Sequence, residues 1–224
     1  MIEAQHIIKT YIDGEIENTV LHGIDLIVPQ GQFVSLIGRS GAGKSTLMHQ
    51  LSLLDTPTQG EIILDGEKTS SLSAKEKTQF RLTKLGYIFQ DYALLPELTA
   101  LENVMLPLLM MKTNTILAKE KGIASLEKIG LGNRLNNLPG QLSGGEQQRV
   151  SVARAVAHDP SILFADEPTA NLDSETARKV IDLLLELHGD GQTIVMVTHE
   201  HEYAALTQRT LFLEDGKIRQ DKTN

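Results

Sequence analysis

Cysteine and tryptophan are both absent from the 224 residues, and the other aromatics are scarce, with five phenylalanines and four tyrosines. Without cysteine the chain has no disulfide and no thiolate to offer a metal, although cysteine-free chains suit any redox compartment. A long apolar run is also missing: no stretch approaches the roughly 18 to 20 residues that a membrane-spanning helix needs. The opening residues Met1 to His6 hold no basic segment followed by an apolar one, so neither export nor insertion into a bilayer is expected. Positive charge is in deficit, with 21 lysines and arginines against 29 aspartates and glutamates and a net charge of −8. With no basic stretch to track a phosphate backbone, nucleic acid is not expected as a partner. Internal repeats and low-complexity linkers are lacking as well, and the length suits one α/β domain with small subregions.

What the chain does have is a run of glycines in a telling place. The apolar segment Phe33 to Ile37 is followed by Gly38, Arg39, Ser40, Gly41, Ala42, Gly43, Lys44, Ser45 and Thr46. This is the G-x-x-x-x-G-K-[ST] spacing of a phosphate-binding loop between a strand and a helix. Glycine permits positive φ and close approach to an anion, so successive N–H groups converge on phosphate oxygens. Lys44 supplies a mobile positive charge, the Ser45 hydroxyl suits Mg2+, and the helix that follows points its positive end at the same anion.

The remaining pattern is that of an α/β chain. Ile7–Ile12 and Ile24–Val28 read as strands of an N-terminal antiparallel region, punctuated by Asp13-Gly14 and Pro29-Gln30-Gly31. Lys44 to Leu54 has helical spacing, and strands are expected at Glu61–Leu64 and Gly86–Gln90. The stretch from about 97 to 140 reads helical from the capping box at Thr99 and Glu102, with Pro107 and Pro139 limiting or kinking its segments. A second capping box, Ser143 with Glu146, starts a helix to about Ala157. Then come a buried strand at Ile162–Ala165, a helix from Ser174 to Leu187 and a strand at Thr193–Val197, an alternation that implies parallel strands joined by crossover helices. The helical block reads as an insertion into the sheet domain.

The strand Ile162–Ala165 ends in Asp166 and Glu167, at the sheet edge where ligands of open α/β folds gather. Beside a phosphate loop, Asp166 suits the magnesium shell and Glu167, one residue on, suits polarising an attacking water. Alone, the pair reads as two surface acids at a strand end.

The segment Leu142-Ser143-Gly144-Gly145-Glu146-Gln147-Gln148-Arg149 closely resembles the signature of the ATP-binding cassette family. Two glycines after a capping serine expose the first N–H groups of a helix, which makes a second anion site in the same chain. The resemblance covers nearly all 224 residues and implies a phosphate-loop NTPase core with a mostly parallel sheet, an N-terminal antiparallel β subdomain and a helical signature-bearing insertion over about residues 91–157 of a single domain. It also implies ATP and Mg2+ as ligands, and two ATPase subunits, identical or paired, facing each other head to tail. Gln90 matches the family's glutamine that reaches the magnesium or the attacking water, and Asp173, in Asn171-Leu172-Asp173, matches the loop at the dimer interface, where it also suits capping the next helix. His199 matches the switch histidine that contacts the γ-phosphate. The adenine is expected on an aromatic ring near the N-terminus, and Tyr11 is the only aromatic residue before Phe33; a strand tyrosine without a ligand is the other reading. Departures from the family pattern are small: Ala42 and Ala170 stand where serine or glycine is common, and Glu200 follows His199 where aspartate is more usual.

The run from Leu94 to Leu108, together with Asp166 to Asp173, resembles the branch containing lipoprotein-release, macrolide-export and cell-division ATPases. That resemblance implies an integral membrane permease as partner and a cytoplasmic site at the inner face of the cell membrane. Leu94, Leu95 and Leu98 suit a docking cleft, and equally the core of the insertion. Three functions follow: the energising subunit of an efflux or lipoprotein-moving transporter, a division-type machine that signals to cell-wall hydrolases without transport, and a soluble ATPase acting on ribosomes or DNA. The last usually carries two cassettes or long inserts.

Overall fold

The computed structural model describes residues 1–14 and 16–224. In chain order they form β1 (Ile2–Asp13), β2 (Ile16–Val28), β3 (Phe33–Ile37), α1 (Lys44–Leu51), β4 (Gln59–Leu64), β5 (Glu67–Lys68), α2 (Ala74–Lys84), β6 (Leu85–Ile88), α3 (Ala100–Met110), α4 (Thr115–Lys128), α5 (Gly144–Val156), β7 (Ile162–Asp166), α6 (Ser174–Gly189), β8 (Thr193–Val197), α7 (His201–Ala204), β9 (Arg209–Glu214) and β10 (Lys217–Thr223). They group into two compact units, one of Met1–Gln79 with His188–Asn224 and one of Phe80–Leu187.

In the first unit β1 pairs antiparallel with β2 and with β4, and β5 pairs with β4. Along β2, buried Ile24, Leu26 and Val28 alternate with exposed Asp25 and Ile27, the period of a strand with one face in a core. Strand β3 lies parallel to both β8 and β9, and β10 returns antiparallel along β9. Every residue of β3 and of β8 is buried, as in strands covered on both faces.

In the second unit β6 and β7 run parallel, with Tyr87 opposite Phe164 and Ile88 opposite Ala165. Helix α3 packs against α4 and α5, and α5 lies on β6. Two glycines permit these approaches. A Cβ at Gly122 would stand 2.8 Å from Leu101 Cδ1, and one at Gly86 would run into the Ala155 carbonyl at the end of α5. An antiparallel N-terminal sheet, mostly parallel buried strands and a helical block are the α/β class that the sequence pattern predicts.

Several boundaries differ from that pattern. Helix α1 stops at Leu51, because the chain turns left-handed at Leu53 (φ 60°), which buries Leu53 beneath the turn. Strand β6 begins at Leu85 and ends at Ile88, leaving Gln90 in a turn. Pro107 does not limit α3, which continues to Met110; burial of Val104, Met105 and Leu108 outweighs the donor that proline removes. Helix α2 has only Phe80 buried, too little apolar periodicity to be read in advance. Strand β10 is polar and exposed along most of its length; it is pinned by Arg209, whose Nη2 lies 2.6 Å from Asp221.

Gly86→Ala is expected to lower stability by roughly 1–3 kcal/mol, the usual cost of overpacking a tight contact, measured by equilibrium denaturation. A parent-like midpoint would show that α5 does not depend on this approach to β6.

Candidate functional site

The phosphate loop, Gly38 to Thr46, belongs to the first unit, and its shape comes from what presses on it. A Cβ at Gly38 would collide with the Leu213 carbonyl, and one at Gly43 (φ 98°) would meet Leu21 Cδ2 at 3.1 Å and the Val20 carbonyl at 3.2 Å. From the other side the Gly216 N–H donates to the Ala42 carbonyl at 3.1 Å. Gly41 (φ 79°) has open space around it, while Gly38 and Gly43 are required by packing. Lys44 is 7% exposed, and its Nζ donates to the carbonyls of Gly38 at 2.9 Å and Arg39 at 3.1 Å. The ammonium therefore sits inside the curl of its own loop. Ser45 is exposed at the start of α1, and Thr46 is half-buried behind it. Gly38, Arg39, Ser40, Gly41 and Ala42 line a cavity of about 730 Å³ that also takes in His199, exposed just beyond β8.

Tyr11 lies near the end of β1 with 42% of its surface exposed. Its hydroxyl donates to Asp55 at 3.1 Å and also bonds Thr46, which brings the tyrosine to the helix that the phosphate loop opens. Lys9 Nζ stands 4.8 Å from the centre of the ring and 2.8 Å from Asp55. Partial burial works to raise the Asp55 pKa. Hydrogen bonds from Lys9, the Thr56 N–H, Gln50 and Tyr11 outweigh that and hold it at about 2 against an ordinary 3.8. Lys9 and Asp55, which orient Tyr11, escaped the sequence reading, since Asp55 there only marks the break after a helix.

In the second unit Asp166 ends β7, half-buried, and its Oδ2 accepts from the Tyr87 hydroxyl at 3.2 Å. Burial first, and Asp166 second, push the Tyr87 hydroxyl above its ordinary range, so it remains a donor. Glu167 follows with φ 45°, a left-handed conformation that costs a non-glycine residue about 1 kcal/mol or more. Its carbonyl accepts from the Ala170 N–H at 3.2 Å.

Ser143 is the N-cap of α5 with both halves of the expected capping box: its N–H donates to Glu146 at 2.9 Å, and the Glu146 N–H donates to its hydroxyl at 3.3 Å. The Ser143 N–H holds the Glu146 carboxyl below the usual carboxylate range, partial burial opposes this, and Arg134 at 3.0 Å adds to it. The two glycines are again close approaches: a Cβ at Gly144 would stand 2.9 Å from the Tyr92 hydroxyl, and one at Gly145 would collide with Thr176 Cγ2. Asp173 caps α6, accepting from the N–H groups of Glu175 at 3.1 Å and Thr176 at 3.0 Å. The Thr176 hydroxyl and N–H hold its carboxyl below the ordinary range.

Gln90 is exposed, and its carbonyl accepts from Asn171 Nδ2 at 3.0 Å. Beyond Asp91, Tyr92 (φ 64°) and Ala93 (φ 48°) are left-handed, and the guanidinium of Arg154, on α5, donates to both of their carbonyls. Buried Asn103 ties down the following segment, receiving the Leu95 N–H at 2.8 Å and donating to the Leu98 carbonyl at 2.9 Å. Of the three leucines there, Leu95 is exposed and Leu94 and Leu98 are half-buried. Arg154 and Asn103 gave no signal in advance, because each acts on backbone carbonyls distant in sequence.

Chemically, the first unit offers the Ser45 hydroxyl and the second the Gln90 amide oxygen and the Asp166 carboxylate, each a hard oxygen donor of the kind Mg2+ takes. Among the described residues no three or more His, Cys, Asp or Glu side chains are gathered as a protein-only metal cage requires, and no helix is long and apolar enough to cross a membrane.

Residues 21–170 match the family described as ABC transporter. Among curated relatives, the chain is 52% identical to the lipoprotein-releasing system ATP-binding protein LolD of Aquifex aeolicus (strain VF5), over 89% of each chain. It is 45% identical to the protein of the same name from Xanthomonas oryzae pv. oryzae (strain MAFF 311018), over 98% of this chain and 91% of the other. Among solved structures, the dimeric post-hydrolysis state of the ATP-binding cassette MJ0796 bound to ADP and Pi superposes with a TM-score of 0.92 at 40% identity, covering 100% of this chain and 98% of that one.

The Asp55 cluster has a pH signature. Its folded-state pKa of about 2 lies below the unfolded 3.8, so its stabilisation is complete above 3.8 and disappears as pH falls toward 2. Asp55→Asn is expected to melt below the parent near about pH 6, with the gap closing by about pH 2. A gap independent of pH would show that the charge on Asp55 is not what holds Tyr11 and Lys9.

Proposed function

The chain belongs to the ABC transporter family, and we propose that it is an ATP-hydrolysing subunit that pairs around Mg2+ and ATP to drive a separate integral membrane permease, with a lipoprotein or other lipid-linked substance as the cargo. The names of the relatives, lipoprotein-releasing ATP-binding proteins, favour that cargo over division-type signalling. On this reading the whole chain works as one cassette with its helical subdomain over about residues 91–157, and the permease holds it at the inner face of the cell membrane.

The observation that carries the reading is the presence of two backbone-donor surfaces in one chain, the phosphate loop that opens α1 and the Ser143 cap that opens α5. Each suits a phosphate. Two copies facing head to tail give both surfaces of each chain a nucleotide, and the dimeric cassette that this fold resembles at 40% identity supports the pairing. Asn171-Leu172-Asp173 then serves two purposes, since Asp173 caps α6 while its loop meets the other copy.

The residues act mainly by position and charge. Lys44 exchanges the carbonyls of Gly38 and Arg39 for phosphate oxygens, replacing neutral acceptors by charged ones and so forming stronger bonds. Gly41 and its neighbours supply N–H donors, Arg39, Ser40, Ala42 and Thr46 complete the loop, and Tyr11 stacks on the adenine. Mg2+, when bound, neutralises phosphate charge, and Ser45, Asp166 and Gln90 are the residues that would hold it. Glu167 accepts a hydrogen bond from the attacking water and orients it toward the γ-phosphate, where His199 donates to an oxygen. The left-handed Glu167 backbone fixes the direction in which that carboxylate leaves the strand. Gly144 and Gly145 keep the first turn of α5 free of side chains, so Ser143 and the N–H groups behind it meet the other copy's γ-phosphate.

Glu167→Gln is expected to retain ATP binding, to hydrolyse about 10²–10⁴-fold more slowly, and to elute as a dimer under saturating ATP in size-exclusion chromatography with light scattering. A monomer under those conditions would overturn the paired arrangement. Lys44→Ala is expected to weaken ATP binding roughly 10- to 100-fold, the loss of one charge-assisted bond of about 1.5–3 kcal/mol, as measured by calorimetry; unchanged affinity would remove Lys44 from the site.

A further inference from the structure

Tyr87 has no part in the roles assigned above, yet its hydroxyl reaches one that does. It stands opposite Phe164 in the parallel β6–β7 pair. Asp166 lies two residues beyond Phe164 and therefore on the same face, so the long tyrosine side chain crosses the diagonal to Asp166 Oδ2 at 3.2 Å. The ring is fixed from two sides, by Phe89 at a centroid distance of 4.4 Å and by Phe164 at 6.4 Å. Packing accounts for an aromatic ring at this position but not for its hydroxyl. Phenylalanine would fill the same space without a polar atom that needs a partner in a largely buried setting.

We propose that Tyr87 is a positioning residue for the metal-binding carboxylate, its hydroxyl holding Asp166 in the orientation that meets Mg2+. The inference rests on the reading of Asp166 as a magnesium ligand. The terminal torsion of an aspartate is broad and roughly two-fold, so a carboxylate at a strand end has no intrinsic preference as to which oxygen faces the ligand. One directed donor on Oδ2 makes the two oxygens inequivalent and holds the plane of the group. A phenol does this without charge. A lysine or arginine in the same place would partly neutralise the carboxylate and compete with the cation for it, whereas a neutral donor orients the group and leaves its charge available. Outer donors to metal-ligating groups act in this way, and their loss costs metal affinity while the ligand itself stays in place.

The test compares the parent with Tyr87→Phe and Asp166→Asn, using Mn2+ as the probe in the presence of saturating non-hydrolysable ATP analogue and reading free Mn2+ by electron paramagnetic resonance. Tyr87→Phe is expected to raise the Mn2+ concentration for half-saturation roughly tenfold, with parent-like affinity for the analogue in EDTA and a parent-like melting midpoint. Asp166→Asn is expected to raise it further. If Tyr87→Phe binds Mn2+ as the parent does while Asp166→Asn is weakened, the role of Tyr87 is overturned and that of Asp166 stands. If Asp166→Asn also binds Mn2+ like the parent, the assignment of Asp166 falls and the proposal with it. If Tyr87→Phe loses affinity for the analogue in EDTA to the same degree as for Mn2+, or melts earlier by a matching amount, the hydroxyl supports the fold and not the metal ligand, and the proposal is overturned.

Discussion

Backbone N–H groups can hold an anion only if their loop is already open when the anion arrives, and the first unit is built around that requirement. A free peptide of this sequence would turn its amides toward water or its own carbonyls. Here Gly38 presses on the Leu213 carbonyl and Gly43 on Val20 and Leu21, while the Gly216 N–H takes the Ala42 carbonyl out of play. Lys44 occupies two more carbonyls from inside the curl. Three carbonyl oxygens of the loop are thus engaged, the Ala42 N–H closes a turn on the Arg39 carbonyl at 3.2 Å, and Gly41 is left with open space beside it. The glycine packing and the Gly216 contact are in place once the chain folds, so that part of the ordering is not left to binding.

The second unit solves a related problem with side chains. Several of its candidate residues lie on turns or at element ends, and such segments hold position only when tied. Arg154 ties the carbonyls of Tyr92 and Ala93, Asn171 ties the carbonyl of Gln90, and Asn103 ties the segment of Leu95 and Leu98. The ties compensate real strain, since Tyr92, Ala93 and Glu167 all hold left-handed backbone. They also connect the pieces: α5 holds the carbonyls of Tyr92 and Ala93 through Arg154, Asn171 holds Gln90, and Thr176, in the first turn of α6, packs against Gly145.

Electrostatics follows the same division between orienting and neutralising. At Tyr11 the support is ionic, with Lys9 over the ring and Asp55 at its hydroxyl. At Asp166 a neutral phenol donates to the carboxylate, which on the proposed reading orients it without opposing its charge. Glu146, one turn into α5, is held ionised by the Ser143 N–H and Arg134; it satisfies the helix start without occupying the N–H groups of Gly144 and Gly145.

Residues whose role depends on neighbours in sequence were legible from the sequence alone. The phosphate loop, both capping boxes, the buried strands and the acid pair at the end of β7 each follow from spacing within about ten residues, because glycine φ, helix caps and strand burial are local physics. Even the polar N-cap role of Asp173 was visible. Tertiary structure alone decided which glycine faces open space and which faces protein, since Gly38, Gly41 and Gly43 look alike until Leu213 and Val20 are placed against two of them. It also decided the supports: Lys9 and Asp55 are 46 residues apart, Tyr87 and Asp166 are 79 apart, and Arg154 is 62 from the Tyr92 carbonyl it holds. A hydrogen bond is directional over about 3 Å, so whether two such groups form one depends on strand register and helix placement, which no single segment of the chain encodes.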